Sequence, residues 1–319
     1  MAVSGVFIGA FCVFLGGQGA AVRAERTTVA APPLRDAVLP GPASAFAARA
    51  RYVEQLIDRS AQAGFGQSGF KLRSEQRLKP PVFVQDRPKI IIIFDDMGVD
   101  KSAFNAVMNL PGPVTLSFLP YADDIQRQVD RARGRGDAIM LHLPMEPVSD
   151  IDPGPRALTR SMAGTELLST LSWNLDQFGG YIGVNNHMGS AFTSDLAVMK
   201  TVLSVLKAEG VFFLDSLTTS KSAVTKAGLS VDLPIFRRDV FLDPDKDRAT
   251  IFRQLELVER IALETGYVVA ICHPRKETID VLGPWLTSAP ARGFELATVQ
   301  TLVEVDEKLR KRDQAKTTG

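Results

Sequence analysis

From Lys89 to about Thr301, short apolar runs alternate with stretches of helical periodicity, and no other feature of the chain limits its fold so tightly. The runs are Ile90–Phe94, Val114–Leu119, Ala138–Leu143, Tyr181–Val184, Val211–Leu214, Leu233–Phe236, Tyr267–Cys272 and Phe294–Ala297. Between them, Leu196, Met199, Leu203 and Leu206 recur at helical spacing until Gly210 stops the pattern, and Ile251, Leu255, Val258 and Ala262 do so until Gly266. Strands that alternate with helices predict an α/β fold, with a parallel sheet and crossover helices. About seven or eight such units in roughly 210 residues suit a (β/α) barrel smaller than the eightfold version. A doubly wound open sheet is the alternative. Both architectures put a functional site at the C-terminal ends of the strands.

The composition allows such a core and narrows the function. Of 319 residues, 45% are hydrophobic, and Lys+Arg 37 against Asp+Glu 36 leaves a net charge of +1. A chain so balanced has no electrostatic reason to bind nucleic acid. Cys12 and Cys272, the two cysteines, make neither a disulfide framework nor a thiolate metal site. Any imidazole-based site must draw on His142, His187 and His273, because the chain has 3 histidines.

The region ahead of Lys89 is of another kind. Val3 to Leu15 is nearly all apolar and leads through small residues to Val22-Arg23-Ala24. A spanning helix needs about 20 residues, so residues 1–24 read as a secretory signal peptide, with an uncleaved anchor as the alternative. This predicts export to the periplasm, or an inner-membrane anchor facing it, with membrane contact only through this segment. Removal of the leader leaves one cysteine and no internal disulfide. Residues 25–88 read as an Ala/Pro-rich linker with one amphipathic helix over Ser44–Ala61, and residues 304–319 as a charged tail.

The strand ends carry the chemistry. Ile90–Phe94 runs into Asp95-Asp96, two adjacent carboxylates whose burial is costly unless a cation or proton compensates. One of the pair can bind a metal while the other faces a water; the bland reading of Asp96 is a helix cap. Ala138–Leu141 delivers His142, with Glu146 four residues on, an H-x-x-x-E spacing that offers Glu146 as an alternative partner of His142 at one centre. Tyr181–Val184 leads into Asn185-Asn186-His187-Met188-Gly189-Ser190, a polar loop. Val211–Leu214 delivers Asp215, and Tyr267–Cys272 delivers His273. All three histidines thus fall at predicted strand C-termini. A carboxylate with two imidazoles suits a divalent metal, Zn²⁺ first, with positions left for water and substrate. That pattern predicts a metal-dependent hydrolase.

At these residues the sequence resembles the divergent polysaccharide deacetylases, bacterial envelope-associated relatives of the chitooligosaccharide and peptidoglycan N-deacetylases. The resemblance rests on Phe94-Asp95-Asp96-Met97-Gly98, His142-Leu143-Pro144-Met145-Glu146-Pro147, Asn185–Ser190, Phe213-Leu214-Asp215-Ser216 and His273-Pro274, and it covers residues 89–303. It implies a distorted (β/α) barrel of about seven strands carrying a divalent metal. It further implies Asp95 as catalytic base, Asp96 as metal ligand and His273 as general acid. The wider superfamily takes both metal imidazoles from one H-x-x-x-H motif. Here Glu146 stands at the second position, so His187 is the remaining candidate for the second imidazole. The superfamily's Arg-x-Pro motif has no clear counterpart at residues 181–190.

The resulting expectation is a deacetylase acting on N-acetylated amino sugars of an envelope polysaccharide. Asn186 is a candidate oxyanion donor, and Asp215 is a candidate to orient His273 or Asp95. Two rivals stand beside it: an inactive saccharide-binding module on the same barrel, and a glycosidase using Asp95 and Glu146, which would leave the histidines unexplained. No G-x-S-x-G or P-loop occurs, and Gly64-Phe65-Gly66-Gln67-Ser68-Gly69, which fits G-x-G-x-x-G, follows no predicted strand and so does not mark a nucleotide site.

Overall fold

The structure, a computed structural model, describes residues 87–307; the predicted leader, the linker up to residue 86 with its Ser44–Ala61 helix, and the charged tail from residue 308 on lie outside the described residues. Nine strands follow in chain order: β1 (Lys89–Met97), β2 (Thr115–Phe118), β3 (Ala138–Met145), β4 (Gly183–Met188), β5 (Phe212–Asp215), β6 (Ile235–Arg237), β7 (Val240–Phe241), β8 (Tyr267–Cys272) and β9 (Glu295–Ala297). Helices α1 (Lys101–Met108), α2 (Ile125–Arg135), α3 (Gly164–Leu175), α4 (Leu196–Ala208), α5 (Val224–Val231), α6 (Arg248–Thr265) and α7 (Lys276–Ser288) supply the crossovers.

All the strand pairs are parallel, in the order β6-β5-β4-β3-β2-β1-β8-β7, with β9 on β1. The expected barrel of about seven strands is therefore a curved sheet of eight, a half-barrel with β9 added to it. Each predicted run overlaps a strand, and β7 is the addition. Its two residues leave the outer strands β6 and β7 unpaired with each other, yet the chain itself joins them. Arg238 N donates to Asp215 O on β5, and the next amide, Asp239 N, donates to Val269 O on β8.

Alternation along the strands divides the core in two. Ile90, Ile92 and Phe94 of β1 pack outward among the helices, in one cluster with Leu141, Val184, Phe213 and Cys272. Ile91 and Ile93 pack inward with Met140, Phe212, Leu214 and Ile271. Burial on both faces explains why the strands read as unbroken apolar runs. At the foot of the sheet, β9 pairs with Lys89–Ile91, Glu295 N donates to Pro88 O, and Lys89 forms an ion pair with Glu295.

Candidate metal centre and active site

Inward parity, continued past the apolar residues, decides which polar side chains meet. On β1 it points Asp95 into the mouth of the sheet, two places on from Ile93. On β3 it points His142, two on from Met140. On β4 it selects Asn185 and His187, and on β8 it selects His273, two on from Ile271. Simple alternation would turn Asp96 away. A register shift between Phe94 and Met97, with Asp96 at φ 58°, brings this second carboxylate to the same mouth. Gly98 follows at φ 106°, where an added Cβ would stand 2.9 Å from Ala122 Cβ, so the turn after Asp-Asp-Met requires glycine. Capping of α1 falls to Asp100, which accepts from Ser102 N and Ala103 N, so Asp96 is not spent as a helix cap.

Three ligand-type atoms converge. Asp96 Oδ1 lies 2.9 Å from His187 Nδ1 and 3.3 Å from His142 Nε2, and the two nitrogens are 3.2 Å apart. In a tetrahedral site with bonds of about 2.0–2.2 Å, ligand atoms stand about 3.3–3.6 Å apart. The triangle is thus at, or just inside, the spacing of one face of such a site. Asp96 Oδ1 is also buried without an aligned hydrogen bond. The donor set fits a divalent cation. Burial would raise the Asp96 pKa, but His142 and His187 outweigh it and hold the carboxyl well below the usual range. For His142 burial pulls downward, and the charges of Asp95 and Asp96 outweigh it, raising the imidazole.

Flanking groups stand on either side. Asp95, buried, has its Oδ2 3.6 Å from His142 Nε2. Burial raises its pKa against the opposing pull of His142, His273 and Asn185. Across the mouth, His273 Nε2 is 3.7 Å from Asp96 Oδ2. Its other ring nitrogen meets Asp243 Oδ1 at 3.1 Å, while Asp243 Oδ2 accepts from His273 N and Thr278 Oγ1. Burial lowers the His273 pKa, and Asp243 together with the charges of Asp96 and Asp95 more than reverses this. Phe241 packs edge-on against His273 and carries Arg238 over its ring. Arg238 is held by Ser216 O and Leu217 O, and burial lowers its pKa.

Three expected residues are not brought into this cluster. Glu146 lies past the end of β3, about 13 Å along the strand from His142 at roughly 3.3 Å per residue. Its carboxylate is gripped by Arg160, through the backbone N–H and the guanidinium, and lines a cavity of about 640 Å³ with Val148, Ile151, Ser190 and Lys221. The H-x-x-x-E alternative and the Asp95/Glu146 glycosidase pair are both incompatible with that placement. Asn186 has outward parity: its Nδ2 donates to Met188 O and, at 3.5 Å, to Thr218 Oγ1, and its Oδ1 accepts from Ser216 N, so its amide is turned away from an oxyanion at the mouth. Asp215 also faces outward and is held by Leu217 N and Ser222 Oγ. The carboxylate that meets His273 is Asp243. Sequence reasoning missed it, although Val240-Phe241-Leu242 before it is a short apolar run like the others. It also passed over Asn185, Ser117 and Arg238; strand parity would have selected Asn185 over its neighbour.

A mouth of this build places the chain among the parallel β/α proteins that gather carboxylates and imidazoles at strand C-termini. The comparisons narrow that class. The chain belongs to the divergent polysaccharide deacetylase family, whose family model matches residues 92–303. It is 31% identical over 202 residues to an uncharacterized protein of Haemophilus influenzae, a match covering 63% of this chain and 72% of that one. It is 29% identical over 202 residues to the uncharacterized protein YibQ of Escherichia coli, covering 63% of each, so the match spans less than two-thirds of that relative. The crystal structure of the uncharacterized protein ATU2773 from Agrobacterium tumefaciens C58 superposes with a TM-score of 0.66 at 26% identity, over 68% of this chain and 89% of that one.

Proposed function

We propose that this protein is a metal-dependent hydrolase that removes acetyl groups from N-acetylated amino sugars of an envelope polysaccharide. The observation that carries the reading is the convergence of Asp96, His142 and His187 between a buried carboxylate and a carboxylate-paired imidazole. Asp96, His142 and His187 would hold the ion, with Zn²⁺ the first choice for one carboxylate and two imidazoles. When bound, it would supply Lewis-acid polarisation of the acyl carbonyl and acidify water.

The remaining work belongs to the chain. Asp95 takes the proton of the attacking water as the C–O bond forms. His273 gives its Nε2 proton to the amine as the C–N bond breaks, so acetate and a free amine leave. Asp243 holds the ring for that transfer and favours its protonated form. The cavity beside Glu146 and Arg160 is within the usual range for ligand sites, roughly 300–1,000 Å³, and suits sugars flanking the reacting one.

The test is metal analysis of the purified protein paired with acetate release from N-acetylated glycans. Bound metal with acetate release is the expected result. Metal and glycan binding without release of any acyl group refutes the enzyme and leaves a saccharide-binding module. Export is part of the same proposal, supported by the Val3–Leu15 run. A fusion of residues 1–30 to a periplasm-dependent reporter should be active, and a silent, unprocessed fusion removes that part.

A further inference from the structure

The geometry assigns Asn185 as the positioning residue that couples the proton-accepting carboxylate to a metal-facing imidazole; this rests on the hydrolase reading above. Asn185 is fully buried, and all the hydrogen-bonding capacity of its amide is committed. Its Nδ2 donates to Asp95 Oδ1 at 2.8 Å and to Ser216 Oγ at 3.1 Å. Its Oδ1 meets Ser117 Oγ at 2.5 Å and His142 Nδ1 at 2.9 Å. The reverse amide orientation would set Asn185 Oδ1 against Asp95 Oδ1, acceptor against acceptor, so the carboxylate fixes which way the amide points.

Two consequences follow from one planar group. With Oδ1 toward His142, the ring carries its proton on Nδ1, and the Nε2 lone pair faces Asp96 Oδ1 and His187 Nδ1. With Nδ2 toward Asp95, one carboxylate oxygen is pinned and Oδ2 remains for the water. No donor is left over for substrate, so Asn185 acts through Asp95 and His142. An amide suits both ends, since it donates to a carboxylate and accepts from an imidazole N–H. Aspartate would add a third carboxylate beside Asp95 and Asp96, and leucine would strand four polar partners in the interior. Groups that orient metal ligands this way typically contribute about 10–100-fold in affinity or activity.

The experiment uses the full chain, with Asn185→Ala beside wild type. Zinc affinity is read by competition with a chromophoric chelator, coordination by the visible spectrum of the cobalt(II) form, and kcat and KM by acetate release from N-acetylglucosamine oligomers at saturating zinc. The expected result is zinc affinity lowered about 10–100-fold and a shifted cobalt spectrum. At saturating zinc, kcat should stay at least about tenfold down, with KM within about twofold. The double variant Ser117→Ala/Ser216→Ala keeps the amide but strips two of its partners; it should move the same readouts the same way, and it decides the matter if Asn185→Ala does not fold.

Zinc affinity and cobalt spectrum equal to wild type in a folded variant overturn the inference. So does a kcat fully restored by excess zinc, because Asp95 would then need no anchor. Wild type that binds no zinc in the same titration fails the underlying reading instead. If wild type binds zinc without turnover, the affinity and the cobalt spectrum alone decide.

Discussion

Replacing Asp243 by asparagine isolates the acid half of the mouth. His273 N and Thr278 Oγ1 both donate to Asp243 Oδ2, at 2.9 and 2.8 Å, so the single oxygen of the substituted amide would be drawn to that position. The amide nitrogen would then occupy the place of Oδ1, 3.1 Å from His273 Nδ1. An N–H aimed at that nitrogen favours the neutral ring and opposes the imidazolium that must donate. A hydrogen bond to a charged partner is worth about 1.5–3 kcal/mol. At about 1.4 kcal/mol per decade this predicts a kcat lower by about 10- to 150-fold. KM and zinc content should be unchanged, because Asp243 touches none of Asp96, His142 or His187. Asp243 is also the largest of the influences, ahead of Asp96 and Asp95, that raise the His273 pKa over the opposing effect of burial. Its removal should therefore move the basic limb of the pH–rate profile to lower pH. The assay is acetate release across pH, with metal analysis of the same samples. A kcat within about twofold of wild type, or zinc lost along with activity, would refute the reasoning.

Asp95→Asn should keep the metal while lowering turnover by about 10²–10⁴-fold, the span of a general base, as read by metal analysis and kcat. His187→Ala should empty the site and Glu146→Gln should not, since Arg160 occupies the Glu146 carboxylate; equilibrium dialysis with zinc separates the two. Zinc affinity should fall on acidification from about pH 8 to about pH 6, because His142 must be deprotonated to bind and its folded pKa is raised; a pH series of the chelator competition reads the slope. Gly183→Ala should destabilise the fold by about 1–3 kcal/mol by overpacking, since its Cβ would stand 2.4 Å from the buried Phe212 ring, itself packed on Phe236; denaturant unfolding measures it.

The strands were legible because burial on both faces writes them as apolar runs, and the histidines because so few exist and each follows a run. β7 was not: Val240-Phe241 is two residues long and sits behind Arg237-Arg238-Asp239, which reads as a charged turn. Asp243 was hidden for a related reason. In Leu242-Asp243-Pro244-Asp245-Lys246-Asp247 it looks like one acid of a solvated loop, and only the β7–β8 pairing brings it to His273. Asp95-Asp96 announced itself by cost, but the positive φ of Asp96 that lets both carboxylates face one mouth has no sequence mark. Between Asn185 and Asn186 the strand register decided, and a shift of one residue would have exchanged their roles. The Glu146 alternative fails because the four residues from His142 onward are extended chain, which carries the carboxylate about 13 Å away at roughly 3.3 Å per residue.

The pairing of β9 with the first residues of β1 has a bearing on how the domain can be mounted. Residues 87–88 enter beside Glu295, at the foot, while Asp96 lies seven residues beyond Lys89 along β1, about 23 Å from it at roughly 3.3 Å per residue. Whatever is spliced ahead of residue 87, whether a leash, a bead linkage or a reporter domain, is hitched to the end opposite the mouth. Immobilised by that side, the domain offers the mouth with Asp96, His142 and His187 to the bulk phase, and the length of the leash sets how far that mouth can range.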